Sequence, residues 1–254
     1  MSDSMHSPDL SGKIALVTGA SKGIGADVAI ALGKAGAHVL LLGRDVQRLE
    51  ATDDAIQAAG GSASIVPADL SDPQVPEALA QQIDQRWGKL DILIGNAGVL
   101  GDLSPVPHLS HKEWDSVIDS NLSSNFRLLK ALDPLLQASG SARVVMVSTG
   151  AVPNPRAFWS AYAASKAGLE ALTHSYAHEV HNLGVLVNIL DPGAVRTDMR
   201  AAAKPGEDPM SLPPGWAIAH EFLALCAPDL DSWGQRVTVT PLDNWRELEA
   251  KQAE

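Results

Sequence analysis

The sequence predicts a single doubly wound α/β domain, a mostly parallel sheet with helices on both faces. Three observations predict it. The stretch Ile14 to Ala31 reads as a short apolar run, then three glycines at 19, 23 and 25, then a helical pattern from Ala26. That is a strand buried on both faces, a glycine-rich turn and a helix start. Along the rest of the chain, short apolar runs alternate with helical segments, the pattern of parallel strands joined by right-handed crossovers. Finally, 254 residues of 45% hydrophobic composition carry no repeat, low-complexity tract or linker, enough for one large core.

The opening helix runs to about Lys34, with Gly36 as its stop signal. His38 to Leu42 is the second strand and ends at Gly43-Arg44-Asp45. Gln47 to Ala59 is helical, Ala63 to Ala68 a third strand followed by Asp69-Leu70, and Pro76 to Trp87 a helix. Leu90 to Ile94 is the fourth strand, ending in Gly95-Asn96-Ala97-Gly98. A long helical pattern over Glu113 to Leu136 contains Asn121, a residue often simply solvated inside a helix. Arg143 to Val147 is the fifth strand, with Ser148-Thr149 at its end, Tyr162 to His181 a helix, and Val185 to Leu190 the sixth strand before Asp191-Pro192-Gly193. Gly234 to Thr240 is a last strand. The domain covers 10–245, with an irregular substrate loop at about 194–216, between a loose tail at 1–9 and another at 246–254.

Net charge is −11, which argues against nucleic acid or an anionic membrane as partner. Cys226 is the one cysteine, so no internal disulfide forms. The first residues lack the basic and apolar regions of a signal peptide, and no apolar run reaches membrane-spanning length. A soluble, cytoplasmic protein is the expectation.

The chemistry follows from the strand ends. Glycines at 19, 23 and 25 let the backbone approach an anion, and a helix N-terminus offers free N–H groups to a pyrophosphate. In a doubly wound fold the end of the second strand faces an adenosine ribose. Arg44, with Lys22 in the glycine turn, suits a 2′-phosphate, which favours NADP(H); Asp45 is the acceptor for the alternative, NAD(H). Asp69 is placed either to accept from an adenine amino group or to cap a helix. Tyr162 and Lys166 lie four positions apart on one helix face. An ammonium about 4 Å from the phenol contributes a gross ~4 kcal/mol, roughly three pKa units, before desolvation is subtracted. Tyr162 is thereby a candidate proton donor and acceptor.

Thr18-Gly19-Ala20-Ser21-Lys22-Gly23-Ile24-Gly25, Asn96-Ala97-Gly98, Asn121, Ser148-Thr149, Tyr162-Ala163-Ala164-Ser165-Lys166 and Pro192-Gly193 occur in this order. The series resembles the classical short-chain dehydrogenase/reductase family over about residues 10 to 200. The resemblance implies a Rossmann-type domain with a seven-stranded sheet and reversible hydride transfer between a nicotinamide dinucleotide and a carbonyl or secondary alcohol. It implies Tyr162 as acid/base, Lys166 on the nicotinamide ribose, and Asn121 holding a water through its backbone carbonyl. It places Gly19, Ser21, Lys22, Gly23, Ile24, Gly25, Arg44, Asp69, Leu70, Asn96, Ala97, Gly98, Pro192, Gly193, Val195 and Thr197 on the cofactor. A homodimer or homotetramer is the expected assembly. An NAD-dependent alcohol dehydrogenase, or an NADP-binding regulator without turnover, are the alternatives.

Two departures from the family pattern matter. The family's usual serine stands thirteen positions before the tyrosine, where this chain has Thr149, with Ser148 beside it. Successive strand residues face opposite sides, so Thr149 is the expected substrate-facing hydroxyl. The tail lacks the aspartate-glycine-glycine ending common in the family. His174, His178 and His181 share a helix face with Glu170, but without a second cluster no metal site is expected. Phe158, Trp159 and Trp216 are candidate pocket walls or core residues.

Overall fold

The computed structural model describes residues 7–252. Seven strands form one sheet in the order β3-β2-β1-β4-β5-β6-β7, every neighbouring pair parallel. The strands are β1 (Ile14–Thr18), β2 (His38–Gly43), β3 (Ser62–Pro67), β4 (Ile92–Gly95), β5 (Ala142–Val147), β6 (Val185–Asp191) and β7 (Arg236–Thr238). The central strands β1, β4 and β5 are buried along their whole length and read as nearly continuous apolar runs, with the buried Arg143 of β5 satisfied by the carbonyls of Ala227, Pro228 and Leu230. Edge strand β3 is half-exposed and ends in Pro67, tolerated where no further ladder bond is required.

Each face of the sheet carries its own core. Helices α1 (Gly23–Lys34), α2 (Val46–Ala58) and α8 (Ala219–Leu225) cover one face through Val28, Leu32, Leu49, Ile56 and Phe222. Helices α3 (Val75–Trp87), α5 (Ser124–Ser139) and α6 (Ser160–Val180) cover the other through Leu79, Ile83, Leu128, Leu132 and Leu169. Asp91 pins the amino end of the sheet. Its carboxylate accepts from the Ile14 N–H at 2.9 Å and the Ser139 hydroxyl at 2.7 Å and pairs with Lys13 and Lys89. Residue 91 therefore precedes β4 rather than lying inside it.

Several boundaries differ from the sequence expectation. The helix expected across Glu113 to Leu136 is broken. Helix α4 (His111–Ile118) gives way to a π turn over Asp119–Ser123 before α5 begins. Such bulges recur at functional sites, and here the bulge turns Asn121 inward, fully buried instead of solvated. The loop after β6 holds a short helix, α7 (Asp198–Ala203), capped by the Thr197 hydroxyl. Strand β7 is only three residues long. The segment expected as a C-terminal tail forms α9 (Trp245–Gln252). Its Trp245 is buried, and its Glu249 pairs with Arg196 of the substrate loop at 2.5 Å. The expected tail at 1–9 falls largely outside the described residues.

Candidate active site

The strand order reverses between β1 and β4, and a cleft of about 450 Å³ opens at their carboxyl ends, where an open α/β sheet binds its ligands. Thr18 and Asn96 lock that opening. The Thr18 hydroxyl donates to the Ile94 carbonyl at 3.2 Å and accepts from the N–H groups of Asn96 and Ala97 at 3.0 and 2.9 Å. The Asn96 amide donates to the carbonyls of Thr18 and Gly19 at 2.9 and 3.3 Å. A Cβ on Gly25 would stand 2.2 Å from the Gly19 carbonyl oxygen, so this glycine permits the turn to fold back on itself. Gly25 is not in the cleft wall, whereas Gly19, Ser21, Lys22, Gly23 and Ile24 are.

At one end the cleft carries cations that are each paired with a carboxylate. Arg44 lies 3.7 Å from Asp69, Lys22 lies 2.7 Å from Asp198, and Arg48 reaches the same Asp198 at 3.7 Å. Asp45 caps α2 by accepting from the Arg48 N–H at 3.1 Å and pairs with the Arg48 side chain. Asp69 accepts from the N–H and hydroxyl of Ser71, and those bonds, aided by Arg44, hold its carboxyl below the usual range. Leu70 completes this wall.

The other end gathers the residues expected to carry the chemistry. Tyr162 is in the first turn of α6 and shares the cleft wall with Thr149, with Trp159 edge-on at 5.9 Å. The Thr149 hydroxyl oxygen also accepts from the Ala151 N–H at 3.2 Å. The Ser148 hydroxyl donates instead to Glu170. The buried Lys166 ammonium donates to the Val147 carbonyl at 2.7 Å. Asn121 exchanges two bonds with the Val99 backbone at 2.7 and 2.9 Å and donates to the Ser165 hydroxyl at 3.0 Å. It sits behind the wall, and its own carbonyl accepts from the Asn125 amide at 2.9 Å. Asn96, Ala97, Gly98, Pro192, Gly193, Val195 and Thr197 all line the cleft between its two ends.

Burial dominates the electrostatics. It raises the Tyr162 pKa above the ordinary phenol value; the Asp191 charge adds to the rise and the Thr149 hydrogen bond opposes it. Burial also lowers Lys166 to about 8, with Glu170 opposing. Desolvation of the phenolate, the cost that opposes acidification by Lys166, sets the direction for Tyr162.

A family model described as short chain dehydrogenase matches residues 13–208. The chain belongs to the short-chain dehydrogenase family. This dehydrogenase is 36% identical over 223 residues to the uncharacterized oxidoreductase YciK of Escherichia coli K12, covering 87% of this chain and 88% of that protein. It is 35% identical over 191 residues to the 3-oxoacyl-[acyl-carrier-protein] reductase FabG of the same organism, covering 75% of this chain and 77% of that one. A short chain dehydrogenase from Escherichia coli CFT073, crystallised with NADPH, superposes with a TM-score of 0.88 at 35% identity, covering 92% of this chain and 99% of that one.

The dehydrogenase's own cleft fits a nicotinamide dinucleotide. Lys22 at the N-cap of α1 forms no side-chain cap bond, so nothing from the chain's side chains occupies the first-turn N–H groups that a pyrophosphate would use. Sequence reasoning missed Thr18 as the lock of the cleft and Arg48 as a third cation. The signal for Arg48 was its place in the first turn of α2, three residues after the Asp45 cap. Among the described residues no group of three His, Cys, Asp or Glu side chains converges as a metal site. His178 and His181 of the dehydrogenase pack on Trp233, at ring distances of 5.0 and 4.0 Å. Trp159 lines the cleft; Phe158 is exposed with φ 76°, and Trp216 is half-buried outside the wall.

Proposed function

We propose that this chain is an NADP-dependent oxidoreductase that transfers a hydride between nicotinamide and a carbonyl or secondary alcohol. One observation carries the reading: a single cleft joins Lys22 and Arg44 at one end to Thr149, Tyr162 and Lys166 at the other. When bound, the cofactor supplies or accepts the hydride at the carbon of the carbonyl–alcohol pair. The chain does the rest. Arg44 and Lys22 bind the 2′-phosphate, and the α1 N-terminus the pyrophosphate. Asp69 and Leu70 border the adenine. Tyr162 gives its proton to the carbonyl oxygen in reduction and takes it back in oxidation. Thr149 orients that oxygen through its hydroxyl. Lys166 holds the nicotinamide ribose hydroxyls, and Asn121 fixes the turn around Val99 that faces them.

The NAD reading is disfavoured because Asp45, its ribose acceptor, is engaged as the cap of α2 and by Arg48. The substrate is a small molecule; Leu100, Trp159 and Met199 in the wall suit an apolar one. Cytoplasmic residence and a homo-oligomer complete the proposal. The test is parallel titration with NADPH and NADH, followed by quenching of tryptophan fluorescence. Tight NADPH and weak NADH binding is expected, and Arg44→Ser should weaken NADPH alone, by about tenfold or more for a lost charge-assisted pair. NADPH oxidation is then followed with ethyl acetoacetate, cyclohexanone, 2-octanone and benzaldehyde. Tyr162→Phe should abolish turnover and spare NADPH binding; full turnover in that variant overturns the reading.

A further inference from the structure

Behind the Thr149–Tyr162 pair stands a group of side chains that the proposed reaction does not use. Arg236, on β7 beside Ile189 of β6, donates through Nε to Glu170 Oε1 at 2.9 Å. One of its terminal nitrogens donates to the Thr149 carbonyl oxygen and to Asp191 Oδ2, each at 3.0 Å. Glu170 also accepts from the Ser148 hydroxyl. Asp191 also accepts, through Oδ1, from the Gly193 N–H at 3.0 Å. One guanidinium thus ties α6, the chain just beyond β5 and the carboxyl end of β6 together. Glu170 and Asp191 are both buried, and Arg236 is the cation that pairs with each of them.

We infer that Arg236 is a positioning residue for the reaction: braced on Glu170 and Asp191, it holds the Thr149 carbonyl and so sets the Thr149 hydroxyl at the Tyr162 end of the cleft. Thr149 lies beyond the last ladder residue of β5, Val147. Its carbonyl has one other partner among the described residues, the Val152 N–H at 3.2 Å. Losing the guanidinium frees the main chain that carries the hydroxyl and breaks the ion pairs of two buried carboxylates. A lysine keeps the charge, but as a point donor on a flexible stem it does not reproduce the planar fork across three acceptors. The inference rests on the oxidoreductase reading above.

The experiment compares Arg236→Met and Arg236→Lys, each alone and combined with Thr149→Val. The substrate is whichever of the four carbonyls named above the wild type reduces fastest with NADPH. Arg236→Met should lower kcat by roughly 30- to 100-fold, the scale of a ~1 Å misplacement. The NADPH Kd, from tryptophan quenching, should stay within about twofold, and Arg236→Lys should recover part of kcat. In the Thr149→Val background the same change should cost less than about threefold, because the hydroxyl it positions is already gone. An equal loss in both backgrounds, or a loss of NADPH affinity as large as that of kcat, overturns the inference. If Arg236→Met does not fold, the Arg236→Lys pair carries the same comparison. A wild type that reduces none of the four carbonyls overturns the oxidoreductase reading and this inference with it. A wild-type rate that Arg236→Met retains overturns this inference alone.

Discussion

Thr149→Val and Ser148→Ala separate two neighbouring hydroxyls that the structure sends to different partners. Valine keeps the branched shape of threonine and removes the hydroxyl that shares the cleft wall with Tyr162. A hydroxyl in that place stabilises the oxygen on which charge develops, and losing one such donor costs about 3 kcal/mol, or ~100-fold or more in kcat. The Ser148 hydroxyl instead donates to Glu170, whose same oxygen keeps the Arg236 Nε at 2.9 Å after the serine is truncated. Ser148→Ala should therefore cost about 1 kcal/mol of stability, the net worth of a hydrogen bond, and leave kcat within about threefold. The assay is NADPH oxidation at saturating carbonyl, with thermal unfolding measured in parallel. A larger rate loss in Ser148→Ala than in Thr149→Val would refute the assignment of the two hydroxyls. An unchanged rate in both would refute the role of any hydroxyl at this strand end.

Two further predictions concern the scaffold. Asp27 on α1 is raised to about 6 by burial, with the Trp216 N–H opposing. Its folded pKa lies above the unfolded value, so the stability it confers is present at acid pH and lost as pH rises through about 6. Asp27→Asn should stabilise the protein at pH 7.5 by as much as ~2 kcal/mol, the shift discounted for partial exposure. The gain should vanish below pH ~4, where both states are protonated; urea unfolding at both pH values checks this, and an equal gain at both would refute the titration. Gly25→Ala brings a Cβ to 2.2 Å from a backbone carbonyl and 2.5 Å from the Asn96 amide. It should lower Tm sharply and abolish NADPH binding, and a variant that melts and binds like wild type would refute the packing role given to this glycine.

Much of this was legible in the sequence for physical reasons. Strands buried on both faces must be largely apolar, so β1, β4 and the Val144–Val147 stretch of β5 stood out as apolar runs. Tyr162 and Lys166 share a helix face by spacing alone. What spacing does not carry is depth. Nothing in the residues around Asn121 announces the π turn that carries it inside, since one extra backbone residue per turn leaves no compositional mark. Arg236 and Glu170 are joined across 66 positions, and a lone arginine on a short edge strand reads as a solvated charge. Helix α9 is polar by composition and reads as a tail; Trp245 and the Glu249–Arg196 pair anchor it only once the substrate loop is in place.

Depth also changes the sign of an argument at the catalytic end. A Tyr–Lys pair read from sequence alone yields an acidic phenol, yet in the structure burial drives both groups toward neutrality, Tyr162 upward and Lys166 down to about 8. In the reduction proposed above Tyr162 acts as a protonated phenol, and a raised pKa keeps it so. Lys166 is then the group that limits the reaction: its proton is lost as pH rises through about 8, and kcat/KM for reduction should fall there, because that ratio reports free-enzyme groups. Stability moves the opposite way. The lysine's folded pKa lies below its unfolded value, so the cost of burying the charge is full below pH 8 and relieved between about 8 and 10.5. Lys166→Met removes both effects at once. It should lack the alkaline limb in whatever reduction rate remains, and the stability of wild type relative to this variant should rise over the same interval in which wild-type kcat/KM falls. An alkaline limb near pH 8 that survives in Lys166→Met would assign it to another group and leave the lysine charge without the part given to it here.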